Sequence, residues 1–128
     1  MSSPEPPPAL QAYFEAISAM DFGKAAACFA DPCHHEDPVG GSVNRAPAGV
    51  RQFFEGLGSL FASVRLFPRE VHGQGSEWAI AFRGEGKGRN GAEVVFEGID
   101  VFRMDGSGRI VELRAYWNPA ATVAKLMA

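Results

Sequence analysis

The chain has 128 residues, of which 46% are hydrophobic and 21% are charged, and its formal net charge at pH 7 is −3. This length and composition predict one globular domain and exclude a disordered or collagen-like chain. The negative charge excludes the basic field that binds phosphate backbones, and no apolar run approaches the ~20 residues that span a membrane. We therefore expect neither a nucleic-acid partner nor a membrane partner.

Residues 1–8 are rich in serine and proline and predict a flexible tail before a single domain at residues 9–128. The tail has neither the basic nor the apolar region of a signal peptide, so we expect a cytoplasmic protein. Cys28 and Cys33 are too few for a disulfide framework and fit no zinc spacing. We therefore expect free thiols and no bound metal.

Apolar periodicity predicts helices in the first half of the chain. From residue 10 to residue 20 the apolar side chains follow the i, i+3, i+4, i+7 spacing of one helix face. Asp21 is the expected N-cap of a second helix. Asp31-Pro32 is expected to end that helix, because a residue before proline is pushed out of the α conformation. A third helix is predicted from about Pro47 to Phe61.

Residues 33–41, between the second and third helices, predict a short strand or loop that ends in a turn. His34 and His35 are adjacent in this segment. Neighbouring side chains of a strand point to opposite faces, so these two imidazoles cannot share a metal ion.

The second half of the chain changes to the two-residue period of strands. The pattern predicts, in order, a strand over 78–82, a glycine-rich turn over 84–91, a strand over 93–104, a hairpin turn over 105–108, a strand over 109–117 and a short helical end. Helices followed by a strand meander predict an α+β fold, with the helices packed on a strongly curved antiparallel sheet. We expect the sheet to form a conical barrel with an internal pocket.

Asp100 carries the clearest chemical signal. If its side of the strand points inward, it shares that face with Phe96 and Phe102, where an ionised carboxylate is costly and protonation is the usual escape. A neutral carboxylic acid is a hydrogen-bond donor. The pattern equally allows the opposite arrangement, in which Val95 and Ile99 are buried and Asp100 faces solvent.

Two further polar residues could act with Asp100. Asp37 precedes Pro38, which stiffens the backbone and suits a base that must aim at one carbon or move between two, although an Asp-Pro turn is the commoner explanation. Tyr13 lies in the apolar stripe of the first helix, either as a core residue or as a donor into a cavity. A tyrosine and two carboxyl groups in unlike environments suit proton transfer at a carbon next to a carbonyl.

Five short segments support a more specific interpretation: Gln11-Ala12-Tyr13-Phe14, Cys28-Phe29-Ala30-Asp31, Glu36-Asp37-Pro38-Val39-Gly40, Gly98-Ile99-Asp100-Val101-Phe102-Arg103 and Arg114-Ala115-Tyr116-Trp117. In this order and spacing they resemble the ketosteroid isomerase (steroid Δ-isomerase) family. That family belongs to the nuclear-transport-factor-2-like superfamily, whose fold is cystatin-like. The resemblance covers roughly residues 9–120.

The resemblance implies a cofactor-independent isomerase that moves a β,γ double bond into conjugation with a ketone on a steroid or similar flat hydrophobe. Asp37 would be the base. Tyr13 and protonated Asp100 would form the oxyanion hole, and this neutral acid is an established feature of the family. A homodimer associated through the back of the sheet is also expected. The substrate would contact apolar walls drawn from Val39, Phe54, Leu57, Phe82, Phe96, Phe102 and Trp117.

The chain departs from the family at Phe54, where a second tyrosine commonly hydrogen-bonds the catalytic one. Phe29 likewise stands where some members have a third tyrosine. We therefore expect a weaker donor at Tyr13 and a slower enzyme. The same scaffold carries polyketide-cyclase-like and dehydratase-like enzymes as well as non-catalytic proteins that bind hydrophobic ligands, and the sequence leaves these alternatives open.

Overall fold

The computed structural model describes residues 4–128, so residues 1–3 of the predicted tail lie outside the described residues. No helix of this described stretch is both long enough and apolar enough to cross a membrane. In chain order the elements are α1 (Pro8–Ser18), α2 (Phe22–Ala27), β1 (Phe29–Glu36), β2 (Val43–Asn44), α3 (Pro47–Gly58), β3 (Phe61–Gln74), β4 (Glu77–Gly88), β5 (Glu93–Met104), β6 (Ile110–Tyr116) and α4 (Ala120–Leu126).

The helices begin where the sequence predicts. Pro8 and Pro47 open α1 and α3, where a missing backbone N–H removes no helical hydrogen bond. Asp21 caps α2 by accepting a hydrogen bond from the backbone N–H of Lys24 at 3.1 Å, which confirms the predicted N-cap. Four members of the predicted apolar stripe are buried on α1, namely Leu10, Tyr13, Phe14 and Ile17, whereas Met20 follows the end of the helix and is only half-buried.

Six strands form one sheet in the order β2-β1-β6-β5-β4-β3. Neighbouring strands are antiparallel except β1 and β6, which run parallel. Bulges in the β3–β4 pairing, one of them between Pro68 and Glu70, bend the long strands. The sheet curves around α1 without closing, so a cone-like curved sheet in an α+β fold is confirmed.

Two predicted element ends are wrong. The second helix does not run to Asp31-Pro32, because Phe29 already pairs with Ile110 of β6 and so belongs to β1. The third helix ends at Gly58, and Phe61 opens β3, a strand that the sequence did not predict. Along β3 burial does not alternate, so its residues lack the period of two by which strands are detected.

The glycine-rich segment is also different from the prediction. Residues 84–88 continue β4 rather than forming a turn, and the turn follows them. Gly84 and Gly86 lie on the concave side of β4, where a Cβ atom would collide with the rings of Phe96 and Phe61. The missing side chains of these two glycines therefore leave room for aromatic rings from the neighbouring strands β5 and β3, which lie over β4.

Candidate active site

Three distant segments bring Tyr13, Asp37 and Asp100 to one cavity between the helices and the concave face of the sheet. Tyr13 lies on α1, Asp37 directly follows β1, and Asp100 lies in the middle of β5. The cavity is narrow: about 60 Å³ of it can be occupied by the centres of water molecules, and about 580 Å³ is free of protein atoms when its opening to solvent is included. A ligand of several rings therefore enters only as the aromatic walls move apart. The residues with the strongest chemical signal in the sequence therefore share one site.

The side chain of Asp100 points inward, where it is only 3% exposed, whereas Val95 and Ile99 on the other face are 55% and 48% exposed. Burial raises the pKa of Asp100 well above its usual range, and the nearby charge of Asp37 raises it further. Within residues 4–128 the Asp100 carboxyl group has no hydrogen-bond partner. Burial therefore favours the protonated, neutral form of Asp100, whose O–H group would be a free donor at the cavity surface.

Tyr13 is surrounded by aromatic rings and is 2% exposed. The rings of Phe29, Phe54 and Phe102 make edge contacts with it at centroid distances of 5.9, 6.0 and 5.7 Å. Burial raises the pKa of Tyr13 well above its usual value, and Asp100 and then Asp37 add to the rise. The phenol therefore stays protonated and, with no partner for its hydroxyl in the described part of the chain, can donate into the cavity.

Asp37 is held in place by the indole of Trp117, whose Nε1 donates to Oδ1 at 2.7 Å. The backbone after Asp37 is fixed by two hydrogen bonds, from Val39 N to the Ala115 carbonyl at 2.8 Å and from Gly40 N to Glu36 Oε2 at 2.9 Å. Burial raises the pKa of Asp37 to about 6, and the Trp117 hydrogen bond opposes this rise. Asp37 is therefore mostly ionised at pH 7 and yet basic enough to accept a proton.

Apolar side chains make up the rest of the cavity wall. Of the predicted wall residues, five line it: Phe54, Leu57, Phe82, Phe96 and Trp117. Phe102 does not, because it is fully buried in the core against Tyr13 and Phe14. Val39 does not either, because it is 37% exposed on the loop after Asp37. The sequence reasoning missed Ile17, Phe22, Gly58, Phe61, Val64 and Leu66.

The sequence could have predicted some of these six additional wall residues but not others. Ile17 follows Tyr13 by one helical turn in the same apolar stripe, so its place beside Tyr13 could have been predicted. Phe61, Val64 and Leu66 lie on β3, and without that strand nothing in the sequence placed them near Tyr13. Phe22 lies in the first turn of α2, and its contact with Phe54 of α3 depends on how the two helices pack.

Phe54 separates Tyr13 from a buried histidine. Its ring centroid lies 6.0 Å from that of Tyr13 and 5.5 Å from that of His35. His35 is fully buried, with Nδ1 3.1 Å from Asn44 Nδ2, while its Nε2 atom has no partner among residues 4–128. Burial lowers the pKa of His35 to about 4, so the ring is neutral. His34 points the other way and contacts Glu36, as the strand period predicted.

The site brings together a carboxylate whose pKa is raised to about 6, a phenol and a second carboxyl group whose pKa is raised by burial, all inside apolar walls. Such an arrangement can move a proton between carbon atoms while the donors hold negative charge on an oxygen. Within the described residues, no group of three or more His, Cys, Asp or Glu side chains is arranged to hold a metal ion.

A curved, open sheet wrapped around a helix with a lined cavity defines the class of nuclear-transport-factor-2-like proteins. Within that class, the chain belongs to the SnoaL-like domain family, which matches residues 10–113. It is 32% identical over 116 residues to the steroid Delta-isomerase of Nocardioides simplex, covering 90% of this chain and 91% of that protein. The predicted relationship to the steroid isomerase family is thereby confirmed.

Solved structures share the fold. The epoxide hydrolase/cyclase-like enzyme SalBIII, which has a role in pyran ring formation in the polyether salinomycin, is 25% identical with a TM-score of 0.76, over 88% of this chain and 89% of its own. A protein from Catenulispora acidiphila with a ketosteroid isomerase-like fold, solved with trimethylamine, superposes with a TM-score of 0.82 at 12% identity, over 98% and 95% of the two chains. The family therefore includes enzymes of more than one reaction type.

Proposed function

We propose that the protein is a cofactor-independent isomerase that moves a β,γ double bond into conjugation with a ketone on a flat, steroid-like hydrophobe. One observation carries the proposal: Asp100, a buried carboxyl group without a hydrogen-bond partner in residues 4–128, lines an apolar cavity together with Tyr13 and an ionised Asp37. A protein that only bound a hydrophobe would have no need for a neutral acid in its wall, because burying a polar group without a partner is costly.

The reaction follows from the charge states of the three groups. Asp37 takes a proton from the carbon between the ketone and the double bond, and the electron pair left behind moves into the carbonyl to form a dienolate. Tyr13 and Asp100 donate hydrogen bonds to the dienolate oxygen. Asp37, now protonated, returns the proton to the far carbon of the former double bond. Atoms and electrons balance within the substrate, so no oxidant or reductant is needed.

The distribution of polar groups favours this reaction over ring formation in a polyketide. Among the described residues that line the cavity, one further side chain besides Tyr13, Asp37 and Asp100 carries a polar group: the N–H of Trp117, which Asp37 already accepts. A substrate with several hydroxyl or carbonyl groups would leave them unpaired against apolar walls. The similarity to SalBIII keeps a cyclase as the second candidate.

The direct test is to add the purified protein to a Δ5-3-ketosteroid and follow the absorbance of the conjugated enone. We expect acceleration over buffer, a loss of ~10³-fold in kcat for Asp37→Asn, and a loss of ~10²- to 10³-fold for Asp100→Leu. Glu97→Gln, on the opposite face of β5, is the matched control and should be unchanged. No acceleration would exclude the steroid reaction, and full activity of Asp37→Asn would exclude the assigned base.

We further propose that the protein is a cytoplasmic homodimer that associates through the convex face of the sheet. Ile99 and Tyr116 are cross-strand partners on this face, and each is 48% exposed. Val95 lies on the same face of β5 at 55% exposure. Glu97 stands between Val95 and Ile99 on this face and forms an ion pair of 3.4 Å with Arg83. Exposed apolar side chains with charged groups around them are typical of a protein interface.

A further inference from the structure

Two rows of aromatic rings border the cavity. On the helical side, Phe54 contacts Tyr13 at a centroid distance of 6.0 Å and contacts Phe22 at 6.2 Å. The planes of Phe54 and Phe22 are only 17° apart, so these two rings are stacked nearly parallel. The row therefore starts at a catalytic hydroxyl group and ends, two rings away, at a hydrocarbon side chain.

The second row lies on the sheet. Phe96 contacts Trp117, the partner of Asp37, at 5.1 Å and contacts Phe61 at 6.3 Å. Phe96 shares the concave face of β5 with Asp100, about 13 Å of strand away. This row also leads from the polar groups to a hydrocarbon end.

Phe22 and Phe61 end the two rows, and we call them the distal pair. Each ring rests on a glycine. A Cβ atom at Gly58 of α3 would collide with the ring edge of Phe22, and one at Gly86 of β4 would lie 2.6 Å from Cε1 of Phe61. Gly58 is the last residue of α3. Its absent side chain is what gives Phe22 its place.

We infer that the distal pair selects substrates by length, and that Gly58 is a specificity-determining residue because it seats Phe22. A substrate of one ring, with its oxygen at Tyr13 and Asp100, would be too short to reach Phe22. A substrate of four fused rings would place its remote, flat hydrocarbon part against Phe22 and Phe61. The inference rests on the proposed function for the position of the substrate oxygen and goes beyond it in assigning the length preference.

The test uses binding, so it does not depend on turnover. A phenol carries its oxygen as the dienolate does, and phenols with one ring and with four fused rings form a length series. Their dissociation constants are measured through the quenching of the intrinsic tryptophan fluorescence in the wild-type protein and in Gly58→Ala, Phe22→Leu and Gly56→Ala. The last is the matched control, because Gly56 lies on the same helix and a Cβ there would meet nothing within 4 Å. The readout is the ratio of the two constants within each variant, which a partly unfolded sample leaves unchanged.

We expect Gly58→Ala and Phe22→Leu to weaken binding of the four-ring phenol ~10-fold while the one-ring phenol changes less than twofold, an effect of the size of one aromatic contact. Gly56→Ala should keep the wild-type ratio. An unchanged ratio in Gly58→Ala, an equal loss for both phenols, or a wild-type protein that binds neither phenol would overturn the inference. Isomerisation of the ketone is scored separately, so a length effect without turnover would refute the proposed function alone.

Discussion

The indole N–H of Trp117 donates to Oδ1 of Asp37 across 2.7 Å, and the two residues both line the cavity. They lie far apart in sequence, and the pairing of β1 with β6 brings them together. A hydrogen bond to a carboxylate favours its ionised form, so this contact opposes the rise in pKa that burial causes. Trp117 therefore sets both the direction and the basicity of Asp37.

Trp117→Phe should raise the pKa of Asp37 above about 6, because the ring keeps its place in the wall but no longer donates. The acid limb of the profile of kcat/KM against pH should move to higher pH by about one unit, the size expected from one hydrogen bond to a charged group. Trp78→Phe is the control, since its indole donates to the Gly75 carbonyl and Trp78 does not line the cavity. An acid limb that stays in place in Trp117→Phe would contradict this account of Asp37.

Asp100 should make the protein less stable as pH rises. Its pKa is raised in the folded state, so the folded protein holds this proton at pH values where the unfolded chain has released it. The contribution of Asp100 to the free energy of unfolding is thus largest below its unfolded-state pKa of about 3.9 and decreases as pH rises toward the folded-state pKa. The sign is opposite to that of a carboxylate in a salt bridge.

Asp100→Asn removes this titration while keeping the shape of the side chain. We expect its Tm to exceed that of the wild-type protein at pH 8 by ~5 °C and to approach the wild-type value near pH 4. Thermal unfolding of both proteins across this pH range is the measurement. A Tm difference that is constant with pH would mean that Asp100 is ionised in the folded state, and the assigned donor would be lost with it.

The sequence predicted the polar part of the site better than its walls. Each polar residue belongs to a short segment with a recognisable pattern. Tyr13 lies in a helical apolar stripe, Asp37 in an Asp-Pro step and Asp100 in a strand of alternating residues. The sequence alone does not determine which face of β5 is buried, because both faces carry apolar residues. The helices pack on one side of the sheet, and this packing places Asp100 inside. Phe61 and Leu66 could not be predicted as wall residues, since β3 lacks alternating burial. Contacts such as that of Phe22 with Gly58 depend on helix packing, which no local pattern encodes.

The proposed dimer predicts that a charge at the centre of the convex patch separates the subunits. Ile99→Lys places an ammonium group opposite Tyr116 on β6 without entering the cavity, because Ile99 points away from it. We expect a dimer for the wild-type protein and a monomer for Ile99→Lys in analytical ultracentrifugation. Gln52→Lys, at an exposed position of α3, adds the same single positive charge away from the sheet and should remain dimeric. A wild-type protein that sediments as a monomer at high concentration would refute the proposal.

Phe54→Tyr should make Tyr13 a stronger donor. The amide Nδ2 of Asn44 donates a hydrogen bond to Nδ1 of His35, so the proton of the neutral imidazole is on Nε2. This Nε2 atom has no partner in the described residues. A hydroxyl group on residue 54, between His35 and Tyr13, could accept from Nε2 and donate to the Tyr13 oxygen. We expect kcat to rise ~3- to 10-fold, the effect of one added hydrogen bond, and KM to change little. The double variant Phe54→Tyr with His35→Phe supplies the control: without the imidazole the new hydroxyl loses its donor, and the gain in kcat should shrink. If Phe54→Tyr lowers kcat while the protein stays folded, the hydroxyl is directed away from Tyr13, and Phe54 is suited to a substrate other than the steroid.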